Sequence, residues 1–227
     1  ATGTIRPMTS KKAKGIDETM EKASRALLST RYFEAERLAH EALLAAHLES
    51  DFARMARIVL PLQEARRQIM QAAADAGRLT LVDDSTGEIE DLQPGCYLVQ
   101  PMMVAADARR LRLAAREQEI PALVLCREPM AMLGQPIVAI APGMTVRTKV
   151  DPPTNREEPE LSWFMSALEQ LGDFAIDSID PGLSLVKRVD ALVDRLEAIP
   201  DHEKLHQALA EACEEARRES REAEAKG

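Results

Sequence analysis

Aromatic residues are scarce: four Phe, two Tyr and one Trp make up 3% of the 227 residues. Ala, Leu, Glu and Arg dominate instead, and these side chains favour helices. Cysteine is also sparse. Cys96, Cys126 and Cys213 are odd in number and widely spaced, with no CxxC, so a disulfide framework is excluded and a reducing, cytoplasmic setting is expected. No stretch approaches 18 apolar residues and no signal peptide is visible, so no membrane association is expected. Positive charge is in deficit. The net charge of −9 opposes the phosphate neutralisation on which nucleic-acid binding draws, so no nucleic-acid partner is expected. There is no P-loop, no GxGxxG and no GxSxG, which leaves phosphate-cradle and nucleophile-elbow chemistry without a motif.

Hydrophobic residues at 45% and charged residues at 30% suffice for a packed core. Periodicity divides the chain into parts. Residues 1–15, with Lys11, Lys12 and Lys14, read as a flexible arm. Helical spacing covers 16–78, with Asp17 as the expected first N-cap, Pro61 as an expected break or kink, and Gly77 as a C-cap. Residues 79–150 read as a small mixed-sheet α/β module. It begins with Leu79–Val82, a turn at Thr86-Gly87 and a strand at Cys96–Val99. A helix over 105–118, a buried strand at Ala122–Cys126 and a hairpin around Pro142-Gly143 follow, ending in an alternating edge strand at Thr145–Val150. Asp151-Pro152-Pro153 opens a Pro-rich linker over 151–160. Helices return over 161–227, with stripes at Trp163, Ala167, Leu168, Leu171 and at Val186, Val189, Val193, Leu196, and then a solvated charged tail. The expected fold class is α+β and predominantly helical.

The stretch ASRALLSTRYFEAERLAHEALLAA resembles a tetratricopeptide repeat, a helix–turn–helix unit of about 34 residues. Ala23, Tyr32, Ala35, Ala42 and Leu43 fall where that repeat places small, aromatic, small, small and apolar residues, over about residues 17–50. Thr30 and Arg31 replace the usual Gly-Asp turn, and the first helix lacks its bulky aromatic. The resemblance implies a non-enzymatic interaction or scaffold protein that holds a peptide or helix of a protein partner, with Arg31, Tyr32, Arg54 and Arg57 as the expected partner-binding residues. One repeat cannot bury its own face and must pack on the rest of the chain or on a partner. Homo-oligomer formation is left open.

Two further segments carry candidate sites. His202-Glu203-Lys204-Leu205-His206 fits H-E-x-x-H, in which two imidazoles one helical turn apart hold zinc and the Glu activates a water. The alternative function is therefore a zinc-dependent hydrolase, with His202 and His206 as ligands and Glu203 as the catalytic group. Against it, Pro200-Asp201 reads as a helix start with Asp201 as cap. Cys213 lies seven residues beyond His206, about 10 Å along a helix axis, too far to share the ion. The favoured expectation has no metal, with both imidazoles flanking a buried stripe, solvated or hydrogen-bonded. The third option is a small-ligand sensor, with Gln100, Arg127 and Glu128 at the carboxyl ends of the parallel strands. Cys126 reads as a core residue rather than a nucleophile, and Met130, Met132 and Met144 read as core filling.

Overall fold

The computed structural model describes residues 7–84 and 91–226. The predicted turn at Thr86-Gly87 lies outside the described residues. Among them, seven helices and five strands form a predominantly helical α+β fold, as the composition implies. The chain forms two compact units: Ala1–Arg66 with Leu209–Gly227, and Arg67–Ala208.

The first unit contains α1 (Pro7–Leu28), α2 (Tyr32–Leu48), the front of α3 (Phe52–Asp75) and the back of α7 (Glu203–Lys226). The arm expected over 1–15 is helical from Pro7 onward. Asp17 is therefore inside α1 rather than at its cap, and its carboxylate receives two hydrogen bonds from Arg54, at 2.9 and 2.8 Å. Asp51 caps α3 instead, accepting from the Arg54 N–H at 3.0 Å. The turns after α1 and α2 are built alike. Thr30 (φ 57°) donates its N–H to Leu27 O and Arg31 donates to Ala26 O; Ser50 (φ 52°) and Asp51 repeat the pattern on His47 and Ala46. This crossed pair of bonds closes a helix on a left-handed residue, and here Thr and Ser fill the place that glycine usually takes. Ala23, Ala26, Ala35, Ala39, Ala42 and Ala46 are all buried, and such small side chains let α1 and α2 lie close together.

Of the break or kink expected at Pro61, the break does not occur: α3 runs through this residue as one helix. A proline inside a helix costs about 3 kcal/mol. Ile58, Val59 and Leu62 beside it are fully buried, each contributing about 1.5–3 kcal/mol, so burial outweighs the lost hydrogen bond. Gly77 (φ 64°) ends α3 as predicted, its N–H reaching Ala74 O at 2.9 Å.

The second unit holds one sheet, in the order β1 (Leu79–Val82), β2 (Gly95–Val99), β3 (Ala122–Arg127), β4 (Gln135–Ala141), β5 (Met144–Val150). β1, β2 and β3 are parallel, and β4 and β5 continue antiparallel. α4 (Ala105–Glu117) crosses from β2 to β3 as predicted, and Pro142-Gly143 joins the β4–β5 hairpin through the Ala141–Met144 pair. β5 lies at an edge and alternates buried with exposed side chains, as its sequence suggested. Tyr97, Val99, Cys126 and Val138 pack against Ala108 and Ala115 of α4. Their neighbours Cys96, Leu98, Leu125 and Ile137 point to the other face and are equally buried, so both faces are covered.

α5 (Leu161–Asp177) and α6 (Leu185–Ala198) pack against β4 and β5. Phe164 is the buried aromatic of α5 whereas Trp163 is half-buried, and Val186, assigned to the α6 stripe, is exposed. Met132 and Met130 are exposed rather than core filling, because they sit in the loop between β3 and β4. Arg112 of α4 donates to Ala198 O and Glu197 O at the end of α6, setting a cation where helix carbonyls lack partners.

Candidate functional site

In the first unit two grooves share one side chain. One is a cavity of about 510 Å³ between α1 and α3, lined by Asp17, Met20, Glu21, Ser24, Arg25 and Arg57. The other, about 480 Å³, lies between α3 and α7 and includes Arg57, Leu60, Glu211, Glu215 and Arg218. Arg57 stands at the junction. It is exposed and makes no hydrogen bond or ion pair with a described residue. One turn on, Leu60 is 64% exposed.

The other predicted partner-binding residues are placed differently. Arg54 is committed to Asp17 and Asp51, whose hydrogen bonds raise its pKa further. Arg31 pairs with Glu34 at 2.7 Å, and Tyr32 is the half-buried first residue of α2. Arg31 and Arg54 flank the 17 residues of α2, a helix about 26 Å long, so the four residues do not form one cluster.

At the carboxyl ends of the parallel strands the structure brings Gln100 and Arg127 together. The Arg127 guanidinium donates to Gln100 Oε1 and to Arg156 O at 2.9 Å, while Gln100 Nε2 reaches Asp83 Oδ2 at 3.1 Å. Arg127 is buried, and that burial pulls its pKa down. Glu128 turns away to Arg147 of β5 at 2.8 Å. Cys126 is buried, and desolvation pushes its thiol up to about 12, which suits a core residue.

The H-E-x-x-H segment keeps one part of the sequence expectation, imidazoles that are hydrogen-bonded, and departs from it at the helix cap. Asp201 does not cap α7; it faces Arg116 at 3.7 Å. His202 takes the cap position, its Nδ1 accepting from the Leu205 N–H at 3.3 Å. His206 Nδ1 donates to His202 O at 2.9 Å. Both imidazoles are buried rather than solvated, at 3% and 1% exposure. The neighbours of His202 come from α5. Its Nε2 lies 3.2 Å from Asp173 Oδ1 and 3.5 Å from Glu169 Oε2. Both oxygens lie within ion-pair distance of this buried nitrogen, yet neither completes a hydrogen bond of good geometry with it. Glu169, Asp173 and His202 each offer one ligand atom, all within 4.8 Å of one another. Lys204 Nζ bridges the two carboxylates, at 2.7 Å from Glu169 and 2.8 Å from Asp173, and these bonds raise its pKa. Desolvation lowers the pKa of His202, opposed by the two carboxylates.

Gly172 makes this arrangement possible. A Cβ there would lie 2.1 Å from the His202 ring, so only glycine admits the imidazole against α5. Glu169 and Asp173 escaped sequence reasoning. The available signal was a pair of like charges four apart on one helix, normally destabilising, with a glycine between them.

No protein-family model, no curated protein and no solved structure matches the chain. The tetratricopeptide likeness therefore rests on its own residues. Among the described residues no helix is long and apolar enough to cross a membrane.

Proposed function

We propose that the chain is a non-enzymatic interaction protein whose first unit holds a peptide or helix of a partner protein along the grooves flanking α3. The observation that carries this reading is Arg57, an exposed guanidinium with no hydrogen-bonded partner among the described residues, at the meeting point of two grooves, with exposed Leu60 one turn away. Arginine is among the side chains enriched at interface hot spots, and Leu60 adds exposed apolar surface beside it. The tetratricopeptide likeness of the same helices points the same way.

The lining selects the chemistry of the occupant. Leu60 and Met20 offer apolar contact, Arg57 offers donors to backbone carbonyls or a carboxylate, and Glu21 and Glu211 offer negative charge. A short segment with an apolar anchor flanked by a basic residue fits. Selection of peptides from a random library on the purified chain tests this. Enriched sequences of that pattern, binding at least about tenfold more weakly to Leu60→Asp and to Arg57→Ala at unchanged helicity, are expected. Failure to enrich any sequence, or binding indifferent to both substitutions, overturns the reading.

A further inference from the structure

We propose that Glu169, Asp173 and His202 form a zinc-type divalent metal site in the second unit, with Lys204 as a built-in competitor for the same carboxylates. This site shares only His202 with the H-E-x-x-H pattern, and neither Glu203 nor His206 is among its ligands.

The geometry is the first argument. Zinc binds imidazole nitrogen at about 2.0–2.1 Å and carboxylate oxygen at about 2.0–2.2 Å, and two ligands of a regular tetrahedron with such bonds stand about 3.3–3.5 Å apart. His202 Nε2 lies 3.2 Å from Asp173 Oδ1 and 3.5 Å from Glu169 Oε2. Both nitrogen–oxygen spacings already match edges of a coordination polyhedron, and the three ligand atoms all lie within 4.8 Å of one another. One imidazole and two carboxylates leave a fourth position for water, a donor set suited to Zn²⁺.

The second argument is independent of the acidic pair. His202 is 3% exposed and its Nε2 is aimed at the carboxylates without a hydrogen bond. Leaving a buried polar atom unsatisfied is unfavourable, and a metal ion satisfies it. Gly172 adds a third. The ring occupies a recess that any side chain at 172 would fill, so the backbone of α5 is shaped around this imidazole.

Lys204 explains how the site stays neutralised without metal. Its ammonium sits between the same two carboxylates, yet the side chain is half exposed and can swing into water when an ion enters. Metal entry also moves the ring proton. The Leu205 N–H points at His202 Nδ1, so the neutral ring carries its proton on Nε2. Coordination through Nε2 transfers that proton to Nδ1 and gives up the long 3.3 Å cap bond.

The test uses the full chain, stripped with a chelator, titrated with zinc chloride by calorimetry. One equivalent is expected. Asp173→Asn and Glu169→Gln each weaken binding at least about tenfold, and Lys204→Gln tightens it. Both acidic positions are substantially exposed, so these variants keep their fold, which circular dichroism verifies. Cobalt(II) supplies a second readout: visible bands of low-symmetry coordination that Asp173→Asn removes. Absence of zinc binding, or binding unchanged by Asp173→Asn and Glu169→Gln, overturns the proposal. A zinc affinity that falls on Lys204→Gln overturns the competitor role.

Discussion

Replacing Gly172 by alanine separates two opposed effects within one methyl group. Alanine favours a helix interior over glycine by about 0.8–1.0 kcal/mol. The new Cβ, however, would stand 2.1 Å from both Cγ and Cδ2 of His202 and 2.6 Å from Nε2. Carbon atoms in contact prefer about 3.5–4.0 Å, so the ring and α5 must part by well over an ångström. The ring cannot yield freely, because it caps α7 through Leu205 and its own carbonyl receives the His206 bond. Overpacking of this kind costs about 1–3 kcal/mol and occasionally more. Net destabilisation of up to about 2 kcal/mol is expected, a fall in Tm of up to about 8 °C at 2–4 °C per kcal/mol for a chain of this size. Gly15→Ala is the internal control. Gly15 lies within α1 with no atom inside 4 Å of its would-be Cβ, so the same substitution there stabilises by about 0.5–1 kcal/mol. Thermal and urea unfolding of the two variants beside the parent chain give the result. If Gly172→Ala stabilises as Gly15→Ala does, the close seating of His202 on α5 is wrong.

Glu36 and Arg66 form a buried ion pair at 2.9 Å, with the arginine 2% exposed. Glu36→Ala removes one partner of a buried guanidinium and is expected to destabilise the chain in urea unfolding by up to about 3–5 kcal/mol, whereas the double variant Glu36→Leu with Arg66→Met costs less. The Arg54 hydrogen bonds hold the carboxyl of Asp17 below its usual value near 3.8. A depressed folded-state pKa contributes stability that is full above the unfolded value, about 3.9, and disappears as pH falls through the folded one. Urea midpoints measured from pH 5 down to pH 2 therefore fall less steeply for Asp17→Asn than for the parent; equal slopes contradict the clamp.

Local rules were legible wherever burial and backbone chemistry agreed. The helix α4, the hairpin through Pro142-Gly143, the alternating edge strand β5 and the cap at Gly77 all follow from periodicity and turn residues within a few positions. The departures have physical causes of longer range. Pro61 lies in a helix because Ile58, Val59 and Leu62 are fully buried around it. Asp17 looked like a cap because nothing nearby in sequence announces Arg54 as its partner, 37 residues away. The H-E-x-x-H spacing of segment 202–206 speaks only for one helix, but the atoms that matter to His202 sit on α5, about thirty residues earlier, and no spacing rule links the two. Arg57 was named from the sequence beside Arg54, and only the fold separates the committed guanidinium from the uncommitted one.

The interaction surface is tested most directly by placing a photo-crosslinking amino acid at position 60 of the full chain in its native cells, with the exposed position 113 on α4 as the control. The account predicts one discrete protein adduct from position 60, mapped to a short apolar and basic segment of that partner and not obtained from position 113. Identical adduct patterns from both positions, or none from position 60, would contradict it.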